Sequence, residues 1–180
     1  MLEIVKAPNS VLSQKAKKVA KVDKLVLKLI NDMEEALMAA TDPVGVGLAA
    51  PQVGKSLQLF IAKPSKKSKL MVFINPRIIK KINKEKEIKK EEHKKLEGCL
   101  SLVNIWGEVE RFDSIWVAYT DENGKTHSRR FEGFISTIIQ HEIDHLNGIL
   151  FPRRVLEQKG TLYKSEKDEK GEDVFEEIKL

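Results

Sequence analysis

His141, Glu142 and His145 lie in the run Gln140-His141-Glu142-Ile143-Asp144-His145-Leu146-Asn147-Gly148, two imidazoles four residues apart with a carboxylate between them. On a helix of ~3.6 residues per turn, such positions share a face, so both rings can aim at one point. The neighbouring carboxylate can stand beside whatever is held there. This H-E-x-x-H pattern suits metal-assisted hydrolysis, in which neutral imidazoles bind the ion, the glutamate handles protons and bound water is the nucleophile. Other signals mark the same helix: Phe134, Ile138, His141 and His145 recur at helical spacing, Gly133 precedes the run, and Gly148 supplies a left-handed stop. The plainer alternative is a helix whose solvated face carries two unrelated histidines. It must then explain why two of the chain's 4 histidines fall four apart around Glu142.

A catalytic site of this kind needs a third protein ligand and one open position. The extension H-x-x-G-x-x-H is closed, because Gly148 is present but Phe151 stands where the third histidine would be. The acidic tail offers carboxylates without a distinct signature. The other candidate is Cys99, the only cysteine, in Leu96-Glu97-Gly98-Cys99-Leu100-Ser101. A lone cysteine is ordinarily a small buried hydrophobe. Gly98 beside it permits close backbone approach, and a thiolate would supply the soft donor the two imidazoles lack.

Three segments, Gly45-Val46-Gly47-Leu48-Ala49-Ala50-Pro51-Gln52, Glu97-Gly98-Cys99-Leu100-Ser101 and Gln140-His141-Glu142-Ile143-Asp144-His145, resemble in order the three signature motifs of the peptide deformylases. The resemblance covers roughly residues 1 to 155. It implies an enzyme that hydrolyses the N-formyl group from the initiator methionine of new polypeptides and releases formate. It also implies metal ligands at Cys99, His141 and His145, an acid/base at Glu142, and an oxyanion site made by Gln52 and the backbone N–H of Leu100. Fe(II) is the ion implied, with Ni, Co or Zn able to replace it, and oxygen should inactivate an iron–thiolate site through the cysteine. The substrate backbone is expected along Val46, Gly47 and Gly98. Phe134 and Ile138 are candidates for lining a methionine pocket or for core packing, and Asp144 for supporting the histidines or for a solvated helix charge. Two positions depart from the family pattern. Val103-Asn104 stands where many members carry proline and glycine, and Ser136 replaces the usual alanine of the histidine helix.

The 180-residue chain is expected to form one α+β domain over 1–180, with antiparallel sheets around the histidine helix. Asp23 should cap a helix running to about Ala40, with Val26, Leu29, Ile30, Met33 and Leu37 buried. Residues 57–63, 70–75 and 114–120 read as strands, and Asn123-Gly124 as a hairpin turn into Lys125 to Phe131. No apolar run reaches the ~20 residues needed to cross a bilayer, Met1-Leu2-Glu3 opens no signal peptide, and one cysteine excludes an internal disulfide. These features suit a bacterial cytoplasmic enzyme.

The net charge of +5 is matched by residues 77–95 alone, with nine basic and four acidic side chains. Lacking interleaved aromatics, this stretch reads as a solvated lysine-rich hairpin or loop inserted before the cysteine motif. Transient contact with ribosomal RNA is a secondary reading. Residues 160–180 form a polar acidic tail, with a turn expected around Glu169-Lys170-Gly171. Two competing functions are a metallopeptidase with a downstream third ligand and a basic ribosome-associated module. The first would keep its metal without Cys99, and the second would not need Glu142.

Overall fold

The computed structural model describes residues 2–83 and 96–179. An extended N-terminal segment leads through a short turn at Ser10–Ser13 into helix α1, Lys24–Ala39. Asp23 starts this helix, its carboxylate accepting from the N–H groups of Leu25 and Val26 at 3.0 Å each. The apolar stripe Val26, Ile30, Met33, Ala36 and Leu37 is buried, with Leu29 packed at its margin.

Strands β1 (Gly47–Ala49), β2 (Leu59–Ala62), β3 (Met71–Ile82), β6 (Ser114–Thr120) and β7 (Thr126–Glu132) make one sheet in the order β1-β2-β3-β6-β7. Strands β4 (Leu96–Cys99), β5 (Leu102–Glu108), β8 (Leu162–Lys167) and β9 (Asp173–Glu177) make a second, in the order β4-β5-β8-β9. Every pairing within these sheets is antiparallel. With α2 (Phe134–Leu146) and α3 (Phe151–Glu157), the described residues form an α+β fold of three helices and two antiparallel sheets. Helix α2 packs on β1, β2 and β7, burying Ile138, Ile139 and Leu146 against Phe60, Phe73 and Phe131.

Strand β3 runs longer than the expected 70–75. Arg77 to Ile82, the start of the lysine-rich stretch, pair with β6 across two register shifts, so their backbone is held in the sheet. Isoleucines at 78, 79 and 82 suit a pleated surface, and Lys81 lays its ammonium 4.9 Å from the centre of the Phe112 ring. The remainder of that stretch, 84–95, lies outside the described residues. In the acidic tail, β8 and β9 pair across a turn that places Gly171 at φ +80°.

Inside β5, Asn104 takes φ +59°. Asparagine tolerates this left-handed backbone better than other side-chain-bearing residues, so it can stand where glycine is common. The N-terminal segment reaches both signature loops. The N–H of Val5 donates to the Gln52 carbonyl at 2.8 Å and that of Ala7 to the Ser101 carbonyl at 3.0 Å. Lys6 Nζ lies 2.6 Å from the Leu100 carbonyl.

Candidate active site and metal centre

Three elements bring the chemistry together. Helix α2 carries His141 and His145 one turn apart, their ring centres 5.0 Å apart. The helix stops where Gly148 takes φ +69°, and a Cβ there would also come within 2.7 Å of the Ser13 carbonyl group. Ser136 is fully buried and ties α2 to the preceding loop, donating to the Phe112 carbonyl at 3.0 Å. Gln140 accepts from the Phe112 N–H at 3.1 Å and donates to the same carbonyl at 2.9 Å.

Cys99 ends β4 beneath these rings, with Sγ 3.2 Å from Nε2 of His145. The ligand atoms of Cys99, His141 and His145 all lie within 4.8 Å of one another. A tetrahedral ion with bonds of ~2.3 Å to sulfur and ~2.1 Å to nitrogen would separate such donors by roughly 3.6 Å, so this spacing fits. The donor set fits too. Burial raises the Cys99 pKa, but the charge of and hydrogen bonds from His145 and His141 overcome it and hold the thiol well below its ordinary range. Sulfur is thereby favoured as thiolate, the form that ligates metals. Among the described residues no other group of this kind joins a histidine pair.

Gln52 sits in the buried turn Ala50–Val53 that follows β1. Its Oε1 accepts from the Ala49 N–H at 2.8 Å, which aims Nε2 at Ser101 Oγ, 3.3 Å away, and Cys99 Sγ, 3.5 Å away. Leu100 occupies the turn between β4 and β5 and is half-buried. Glu142 is 4% exposed, and its Oε2 has no hydrogen-bond partner. Burial pushes its pKa up to about 7, against the lowering charges of His141 and His145. A buried carboxyl group with that affinity and a free oxygen can both take and give a proton near neutrality.

Packing alone demands the glycines at 47 and 98. A Cβ on Gly47 would lie 2.9 Å from both Cδ of Glu142 and Cγ2 of Ile138, and one on Gly98 would lie 2.8 Å from the Trp106 ring. Val46 is half-buried before β1, Ile138 is buried between Gly47 and the core, and Phe134 is 56% exposed at the start of α2.

The sequence left Glu97 and Arg111 without roles. Glu97 Oε2 accepts from Nδ1 of His141 at 3.1 Å. Arg111 grips Glu97 through Nε at 2.8 Å and Nη2 at 2.9 Å, and reaches Asp144 through Nη1 at 2.6 Å. Asp144 is therefore no solvated helix charge. It is 6% exposed and also takes Arg154 at 2.7 and 3.1 Å. Glu97 stands two residues before Cys99 and is buried like it, and that proximity was its one sequence signal. Arg111, in a loop with no motif of its own, gave no such signal.

A family model for polypeptide deformylase matches residues 1–160. Peptide deformylase 1 of Bacillus cereus is 43% identical over 155 residues, which are 86% of this chain and 92% of that protein. The crystal structure of peptide deformylase from Thermotoga maritima is 37% identical, with a TM-score of 0.74 over 86% of this chain and 97% of that one. A class I type b peptide deformylase from Acinetobacter baumannii, crystallised with Met-Ala-Ser bound, is 31% identical, with a TM-score of 0.72 over 86% and 98% of the two chains. Alike in sequence over most of its length and in shape over the same span, this chain is an enzyme of the polypeptide deformylase family.

Proposed function

We propose that this enzyme removes the formyl group from the N-terminal methionine of newly made polypeptides and releases formate, with one divalent ion held by Cys99, His141 and His145. The observation that carries the proposal is the convergence of one sulfur and two imidazoles within 4.8 Å beside the unpartnered Oε2 of Glu142. Fe(II) is the ion we assign, and Ni, Co and Zn suit the same thiolate and imidazole donors. When bound, the ion supplies Lewis-acid activation of water at neutral pH.

The remaining steps belong to the chain's own residues. Glu142 takes a proton from the attacking water and returns it to the amine nitrogen as the C–N bond breaks. Nε2 of Gln52 and the backbone N–H of Leu100 hold the formyl oxygen as negative charge develops on it, and losing one such donor typically raises a barrier by ~3 kcal/mol. Strand β1 is the end strand of the first sheet and β4 is the end strand of the second, among the described residues. A peptide laid along these edges can pair with main chain at Val46, Gly47 and Gly98 as an added strand. Phe134 and Ile138 line the pocket for the methionine side chain. The Met-Ala-Ser bound to the Acinetobacter relative supports this class of ligand.

The test is formate release from formyl-Met-Ala-Ser by Fe(II)-loaded protein kept anaerobic. Glu142→Gln should lower kcat by about 10³-fold with metal content unchanged. Cleavage of unformylated peptides without formate release would replace this reading with that of a metallopeptidase.

A further inference from the structure

The sulfur of Cys99 receives a hydrogen bond from the main chain of its own turn. The Ser101 N–H donates to Cys99 Sγ at 3.4 Å, and the other amide donor on that sulfur is Nε2 of Gln52 at 3.5 Å. In the proposed reaction Nε2 of Gln52 serves the formyl oxygen, so the Ser101 N–H is the donor that stays with the sulfur. That N–H belongs to the peptide group joining Leu100 to Ser101. The carbonyl oxygen of the same group accepts from Lys6 Nζ at 2.6 Å. A trans peptide points its N–H and C=O in opposite directions, so one rigid plane has the sulfur at its hydrogen and a cation at its oxygen. Ser101 is buried, whereas Lys6 is exposed. The chain on either side of Lys6 is fastened, Val5 to the Gln52 carbonyl at 2.8 Å and Ala7 to the Ser101 carbonyl at 3.0 Å. The lysine side chain therefore starts from a fixed place.

We infer that Lys6 is a positioning residue of the metal centre, which through the Leu100–Ser101 peptide aims and strengthens the N–H on the Cys99 sulfur and so draws electron density from it. The inference rests on the proposed ligation by Cys99. Hydrogen bonds in series polarise one another by roughly 10–30% per bond, and a bond from an ionised donor is stronger than a neutral one. Bonds donated to a ligand sulfur are one of the levers by which a protein tunes a thiolate-held metal. Without the Lys6 charge the Ser101 N–H remains in place but pulls less, and the sulfur becomes richer in electrons. Lys6 touches neither the sulfur nor the imidazoles, so this influence passes through the peptide.

The experiment uses the full chain loaded with Co(II), whose charge-transfer absorption from thiolate reports the electron density on sulfur. Lys6→Met keeps the reach of the side chain without its charge and should move that band to longer wavelength. Lys6→Arg should leave the band where the unaltered protein has it. In isotope-labelled protein loaded with Zn(II), the Ser101 amide proton should move upfield in Lys6→Met and hold its position in Lys6→Arg. Both signals arise only from folded, metal-loaded protein, so a general loss of folded chain does not imitate them. A band unmoved by Lys6→Met, or moved as far by Lys6→Arg, overturns the inference and leaves ligation by Cys99 standing. A shifted band with the Ser101 amide unmoved also overturns it, because the charge would then act through space. Absence of any sulfur-to-cobalt band in the unaltered protein overturns the ligation and the inference together.

Discussion

Oε2 of Glu97 lies 3.1 Å from Nδ1 of His141, whose ring also meets Cys99. That bond fixes the ring's orientation and leaves its second nitrogen for the proposed ion. Glu97 is in turn clamped by two N–H groups of Arg111, so the aim of one metal-facing ring depends on a chain of charges that never reaches the reaction itself.

Glu97→Gln keeps an acceptor opposite His141 but removes the charge that polarises it. Metal affinity should fall about 10- to 100-fold, as is typical for such supporting groups. Competition with a chelator measures this directly. An unchanged dissociation constant would show that Glu97 serves only to hold Arg111.

Arg111→Ala removes the guanidinium shared by two carboxylates, each with a side chain only 9% exposed, and leaves Glu97 with His141 and Asp144 with Arg154. Breaking a buried pair by removing one partner typically costs 3–5 kcal/mol. For a chain of this size that lowers Tm by about 10 °C or more, read by circular dichroism. A loss below about 1 kcal/mol would mean that water replaces the guanidinium without penalty.

Gly47→Ala should damage catalysis while sparing the metal. The added methyl would press on Glu142 and Ile138, and misplacing a catalytic group by about 1 Å can cost 10²-fold in rate. Formate assays and metal analysis on the same preparation separate the two effects. Full activity would show that Glu142 can shift freely.

Acid should weaken the fold through the same charges. Burial raises the pKa of Glu97, but hydrogen bonds and charge from Arg111 and His141 outweigh it and bring the value to about 2. Burial likewise raises Asp144, and Arg154 with Arg111 hold it below its usual range. Both folded-state values lie below those of the unfolded chain. Their contribution to stability is therefore complete above about pH 4.5 and is lost as pH falls toward about 2. Urea midpoints of metal-free protein should drop across that window, and Arg111→Ala should flatten the dependence.

What the sequence made legible was whatever declared itself through local periodicity. His141 and His145 on α2, the Asp23 cap with its stripe through Leu37, and strand β6 at Ser114–Thr120 all carry their reason within one element. Cys99 stood out as the one soft donor left for the histidine pair, and the family resemblance firmed that reading, because no local rule joins residues 46 apart. Strands β4 and β5 were missed because glycines at 98 and 107, demanded by Trp106 and by Val155 and Leu162, interrupt the alternation that marks a strand. The true extent of β3 was masked by its lysines, which read as solvated loop although their backbone is paired with β6. The role of Ser136 was equally hidden. It passed as a tolerated substitute for alanine, whereas its hydroxyl bonds the Phe112 carbonyl next to Arg111.

The N-terminal segment adds a temporal consequence. Lys6 bonds a carbonyl 94 positions away, and Val5 and Ala7 fasten the backbones of Gln52 and Ser101. Lys6 and Ala7 therefore stay without these partners until residues 100 and 101 have been made. Contacts of such separation close late and slowly. Seating of the strap across both loops thus marks the maturation of this enzyme, well after α1 has had time to coil.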